Sequence, residues 1–83
     1  MAKGELELKI VSLKEIVTHD YVDSVTLPTT AGEITVLPNH APLISELAQG
    51  VIHARSEGKE KTYPIRNGFL EVDPQSRLTV LLN

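Results

Sequence analysis

Between Glu5 and Ile10 the chain alternates strictly between charged and aliphatic residues, Glu5-Leu6-Glu7-Leu8-Lys9-Ile10. A period of two puts Leu6, Leu8 and Ile10 on one face of an extended segment and the charges on the other, the pattern of a half-buried strand. The same signal returns along the chain. After Ile16-Val17, a polar turn is expected at Thr18-His19-Asp20, and Tyr21 to Leu27 resumes as a run rich in β-branched residues. Pro28 has no N–H and limits pairing there. Ala31-Gly32-Glu33 reads as a tight exposed hairpin turn leading into Ile34-Thr35-Val36-Leu37.

Pro38-Asn39-His40-Ala41-Pro42 is a loop, since two prolines interrupt both helix and ladder. Leu43 to Leu47 fits a strand or one helical turn. Val51 to Arg55 is a strand opened by Gly50 and closed by the turn Ser56-Glu57-Gly58-Lys59. Thr62 to Arg66, Phe69 to Val72 and Leu78 to Leu82 complete the set, separated by Asn67-Gly68 and by Asp73-Pro74-Gln75-Ser76. Eight to ten short strands, with turns roughly every 8–12 residues, predict an all-β fold. The expected form is a flattened antiparallel β-sandwich or barrel in two sheets. Its predicted core is Leu6, Leu8, Ile10, Val25, Leu27, Ile34, Val36, Ile52, Ile65, Leu70, Val72, Leu78 and Val80. The apolar pairs Leu43-Ile44, Val51-Ile52 and Leu81-Leu82 break the alternation, so some of these side chains must point into a bulge or a partner.

With 83 residues, the chain has material for one domain, taken as 1–83. It has no cysteine, so neither a disulfide nor a thiolate metal site is available. Its formal charge is −3 and its eight Lys and Arg residues are scattered without an aromatic platform, which excludes the usual nucleic-acid surface. His19, His40 and His53 lack paired-ligand spacing, so no metal is expected. The glycines stand singly at strand ends and form no phosphate cradle, so no cofactor is expected. The amino terminus has no apolar run of signal-peptide or membrane-span length, and a cytoplasmic protein is expected.

The continuous stretch from Val22 to Ile44, with Leu27-Pro28-Thr29-Thr30-Ala31-Gly32-Glu33 and Leu37-Pro38-Asn39-His40-Ala41-Pro42 inside it, resembles the signature of epsilon subunits of F-type ATP synthases. Gly50-Val51-Ile52, Asn67-Gly68-Phe69-Leu70-Glu71-Val72 and Leu78-Thr79-Val80-Leu81 are similar to that family's later strands, in the same order. The resemblance implies a β-sandwich at the foot of the central stalk, a non-catalytic rotor subunit touching the gamma subunit and the c-ring. It implies that Ser12, His40 and Ser45 face gamma, and that Ala31, Gly32 and Glu33 face the c-ring. It also implies a peripheral position on the cytoplasmic face of a bacterial inner membrane, held there through the complex. Two departures stand out. Asn67-Gly68 replaces a usual glycine pair, which asparagine's tolerance of a left-handed backbone accommodates. No helical pair follows the last strand, so neither inhibition of ATP hydrolysis by extension into the catalytic head nor ATP binding is expected of these residues.

Two other function classes compete. A free-standing β-sandwich binding module for a sugar or peptide would favour exposed aromatic platforms, yet the aromatic residues are only Tyr21, Tyr63 and Phe69. A hydrolase would need His40 as base beside Asp23, Ser24 or Ser45, and there is no Gly-x-Ser-x-Gly elbow. A loop-fixing or interface role for His40 is the better reading, and without the resemblance Glu33 reads as a bare surface carboxylate.

Overall fold

The computed structural model describes residues 4–83, which form nine strands and no helix. They are β1 (Leu6–Val11), β2 (Ile16–Val22), β3 (Ser24–Thr29), β4 (Gly32–Val36), β5 (Leu43–Leu47), β6 (Gly50–Ser56), β7 (Lys59–Ile65), β8 (Gly68–Val72) and β9 (Arg77–Leu82). Leu43 to Leu47 is thus a strand. Thr18-His19-Asp20 is strand interior instead of the expected turn, because these residues pair with Lys9, Ile10 and Leu8 of β1. The turn lies earlier, at Ser12–Glu15. There the Ser12 N–H donates to the Glu15 carbonyl at 2.9 Å, and the Ser12 hydroxyl accepts from the Lys14 and Glu15 N–H groups at 3.3 Å.

The strands join in the order β2-β1-β9-β8-β5-β3-β6-β7, with β4 on the other side of β3. Two halves result, β2-β1-β9-β8-β5 and β4-β3-β6-β7, linked through the β3–β5 contact, whose ladder is the single pair Thr29↔Leu47. The sandwich is therefore one curled sheet, hydrogen-bonded through its corner. It is also not purely antiparallel, since β1 and β9 run parallel from Glu7↔Arg77 to Val11↔Leu81. A parallel pair needs a long connection, and seven intervening strands supply it.

Pro28 occupies a strand interior without cost to the β3–β4 hairpin. Its carbonyl accepts from Ala48 N–H at 3.0 Å, so its missing N–H belongs to the edge facing β5 and β6. The β6 ladder on that edge covers only Ser24 to Thr26, and β5 takes over at Thr29. Pro28 sits in the gap between them. The expected turn at Ala31-Gly32-Glu33 is displaced by one residue, to Thr30-Ala31, with Gly32 and Glu33 already in β4. Gly32 follows that turn at φ 120°, a region costly for residues with a Cβ.

The alternating aliphatic residues fill the interior between the halves. The predicted core residues are buried except Ile34, which is half-buried against the rest, and Val22, Leu47 and Ala54 join them. Thr29 is the one buried polar residue among those described; its hydroxyl accepts from Ala31 N–H and donates to the Gly32 carbonyl. Among the described residues no buried side-chain polar atom lacks a partner, so none carries an uncompensated desolvation penalty.

Candidate functional site

Strand register fixes which loops share an end of the curled sheet. β1 and β9 finish together, β8 begins there, and β5 and β3 end beside it through Leu47↔Gly68 and Thr29↔Leu47. Ser12 and the Thr30-Ala31 turn therefore occupy one end. His40 lies at the other, in the β4–β5 loop, where Asn39 N–H donates to the Ser76 hydroxyl of the β8–β9 loop at 2.8 Å. Ser45 is mid-strand, opposite Leu70 and half-buried. The structure thus places Ser12 with Ala31, Gly32 and Glu33, and sets His40 and Ser45 apart from it.

The His40 Nδ1 donates to the Ala41 carbonyl at 2.7 Å, and its backbone N–H donates to Leu37. The Asp23 carboxylate accepts from Glu57 N–H at 2.9 Å and takes no part with His40. No hydrolytic triad is assembled. Among the described residues, no group of three His, Asp or Glu side chains is arranged to hold a metal. Glu33 is exposed on β4, next to Pro28.

The outer face of the β2-β1-β9-β8-β5 half divides into two zones. Across the strands run Phe69↔Leu81, Leu81↔Val11 and Val11↔Ile16, an apolar row at the Ser12 end. On β5 the row ends at Glu46, opposite Phe69, while Ile44, 74% exposed, lies two residues further along that strand opposite Glu71. Leu13 is 92% exposed at the tip of the β1–β2 turn. Apolar residues at least partly exposed in a contiguous row mark an interaction surface more than isolated ones do. The broken alternation at Leu81-Leu82 is the sequence signal of this row; its continuity comes only from register.

Below the row the same face is charged. Glu7 and His19 pair at 2.7 Å, and Arg77 Nε donates to Asp73 Oδ2 at 2.7 Å. Partial desolvation works to raise the Asp73 carboxyl, but hydrogen bonds from Gln75 and Arg77 outweigh it and hold the group below its ordinary range. The same bond raises the Arg77 guanidinium. On the other half, the His53 imidazole donates to Glu60 Oε2 at 2.7 Å and Arg55 Nε to Oε1 at 3.1 Å. The His53 hydrogen bond, with the His53 and Arg55 charges, lowers the Glu60 carboxyl.

A groove of about 290 Å³ opens between the free edges of β2 and β7, over Leu8, Val22 and Ala54. Tyr63 crosses it to donate to the Thr18 hydroxyl at 3.3 Å. No helix of the described residues is long and apolar enough to cross a membrane.

Residues 5–83 match the family model of the ATP synthase delta/epsilon chain β-sandwich domain. The chain is similar to the ATP synthase epsilon chain of Pelotomaculum thermopropionicum, 41% identical over all 83 residues and 61% of that protein. It is similar to that of Gloeobacter violaceus, 41% identical over 82% of this chain and 52% of the relative. The chloroplastic epsilon chain of Anthoceros angustus is 37% identical over 94% of this chain and 56% of the relative. The chain thus spans only 52–61% of these curated relatives. A chain in the Euglena gracilis mitochondrial ATP synthase structure of OSCP, F1 and c-ring superposes with a TM-score of 0.89 at 26% identity, over 95% of this chain and 51% of that one. One from the Tetrahymena thermophila central stalk and c-ring gives 0.80 at 10% identity, over 99% of this chain and 66% of the other, a likeness of fold alone. The chain belongs to the ATP synthase delta/epsilon chain β-sandwich domain family.

Proposed function

We propose that this domain is a non-catalytic element of the central stalk of an F-type ATP synthase. It links the gamma subunit to the c-ring and so couples proton or sodium translocation to ATP synthesis. The observation that carries this reading is the likeness, over 95% of the chain, to a chain in an F1 and c-ring assembly. The apolar row Phe69, Leu81, Val11 and Ile16 supports it, because permanent subunit contacts bury apolar surface that an isolated domain would leave wet. The gamma contact uses Ser12, His40 and Ser45 and the c-ring contact uses Ala31, Gly32 and Glu33, with the row extending the first. In a bacterium this places the domain on the cytoplasmic face of the inner membrane, held there through its partners.

The test is co-purification of the tagged chain with the ATP synthase of its own cell, in the native chain and in three variants. Leu81→Glu on the outer face should lose gamma while circular dichroism stays unchanged. Ser45→Arg tests the half-buried inner-face position opposite Leu70 and should lose gamma as well, and Glu33→Ala should weaken seating on the c-ring and keep gamma. Full retention of gamma in both of the first two variants would remove the assigned surface. Failure of the native chain to co-purify with any ATPase subunit would remove the function.

A further inference from the structure

The sheet leaves several strand edges unpaired, and they are not equally protected. β2 carries a bulge at Val17, where the register slips between Ile10↔Thr18 and Val11↔Ile16. Further down β2, the Tyr21 N–H is taken by the Asp20 carboxylate at 2.8 Å and the Tyr21 carbonyl by the Ser56 hydroxyl at 3.4 Å. β7 turns Lys59 and Lys61 toward the groove beside its edge and ends near Pro64. Bulges, lysines and prolines are the devices by which native edges resist adding another strand.

β4 has none of these. It pairs with β3 in unbroken register from Gly32 to Val36 and contains neither lysine nor proline. Because Pro28 and Thr30 bond toward β5, Thr29, Leu27 and Val25 face β4, and their partners Gly32, Ile34 and Val36 face back. Alternation then directs the N–H and C=O groups of Glu33 and Thr35 to the free edge. No hydrogen bond to either backbone occurs among the described residues. Beside that edge Glu33 is exposed without a cation partner among the described residues, and Ile34 lies half-buried at the margin of the core.

We infer that the β4 edge is a strand-addition site for an extended segment of a partner protein. Main-chain hydrogen bonds to Glu33 and Thr35 would hold it. Side-chain alternation sets its chemistry: a basic residue on the outer face opposite Glu33, and an apolar residue on the inner face that completes the cover over Ile34. The site is argued from the β4 edge with its exposed Glu33 and half-buried Ile34, not from the rotor assignment. It shares Glu33 with the c-ring contact proposed above, so the two occupants exclude one another at that residue.

The test uses this 83-residue chain and an acetylated seven-residue peptide of alternating valine and lysine, with the valine–glutamate peptide as control. Amide exchange at Glu33 and Thr35 should slow by about tenfold or more with the lysine peptide bound. Binding should be weaker by about tenfold for the glutamate peptide. Thr35→Pro removes a donor only from the free edge and should abolish binding with the β3–β4 ladder intact, checked by circular dichroism. Glu33→Lys, a surface change, should reverse the preference between the peptides. No binding at about 1 mM, protection at β2 or β7 instead, or binding unchanged in both variants would overturn the site. So would protection of Glu33 and Thr35 without peptide in a dimer of the chain, because the occupant would then be a second copy. None of these failures bears on co-purification with ATPase subunits, which tests the rotor reading separately.

Discussion

Gly68→Ala adds a single methyl group and is expected to damage this domain. Gly68 opens β8 at φ 154°, is buried, and pairs with Leu82 on one side and Leu47 on the other. A Cβ there would overlap the Leu81 carbonyl oxygen, a backbone atom inside the β8–β9 ladder that no rotamer change can clear. The strained backbone costs about 1–3 kcal/mol, and separating β8 from β9 adds loss of packing at Leu70, Leu78 and Val80, so a total of about 3–5 kcal/mol is expected. A chain of this size has on the order of 5–10 kcal/mol to lose. Gly58→Ala is the internal control, since Gly58 sits at φ 77° with open space where its Cβ would go, and only strain of about 1 kcal/mol applies. Urea unfolding followed by circular dichroism separates the two. If Gly68→Ala moved the midpoint no further than Gly58→Ala, the close approach of the Leu81 carbonyl would not be a feature of the folded chain.

Leu27→Ala, at a fully buried site, should cost about 2–5 kcal/mol and lower the denaturation midpoint, whereas Lys59→Ala should leave it in place. Glu57→Asn should raise the thermal midpoint, because Glu57 and Gly58 hold positive φ of 55° and 77° in the β6–β7 turn, the Asn-Gly geometry of a type I′ hairpin; a fall would mean that the Glu57 side chain matters more than its backbone. The Glu60 and Asp73 carboxyls are lowered on folding, so their contribution is fully present above the ordinary carboxylate range and is lost as pH falls through the folded values. Stability should therefore decline below about pH 5, and the Glu60→Gln, Asp73→Asn double variant should show a shallower acid limb in unfolding measured against pH.

Alternation made the core legible, because Leu6, Leu8 and Ile10, or Leu78 and Val80, can only face one way once the segment is a strand. It did not find Val22, Leu47 or Ala54, which lie at strand ends or in mixed segments where the period is too short to read. Thr18-His19-Asp20 departs from the expected turn because an edge strand facing water on its outer side carries the same polar composition as a turn. The Asn67-Gly68 departure resolves differently from the reading by residue type: Gly68 alone holds positive φ, so asparagine's tolerance is not used. The parallel β1–β9 pair was beyond reach, since nothing local in either strand states which distant strand it will join. Candidate site residues could be named from the resemblance, but their grouping depends on register, which no single segment contains.

That grouping has a consequence for docking. Ser12 follows Val11 at one end of β1, while Leu43, three residues after His40, is level with Leu8 through Val72↔Leu78 and Leu8↔Leu78. Four residues along the strand and three strand spacings across it separate Ser12 from Leu43 by about 20 Å. A gamma surface that reaches both Ser12 and His40 must therefore extend along the sheet and cannot cap one end. Two sites that far apart should act independently, so Ser12→Arg and His40→Glu should each weaken gamma binding and their effects should add in the double variant. Ser12 also shares its end with Glu33, so if Glu33 seats on the c-ring as proposed, Ser12→Arg should disturb that seating while His40→Glu should not. Binding measured against purified gamma decides the matter: if only one of the two substitutions weakens it, gamma sits at a single end of the sheet and the lengthwise arrangement is wrong.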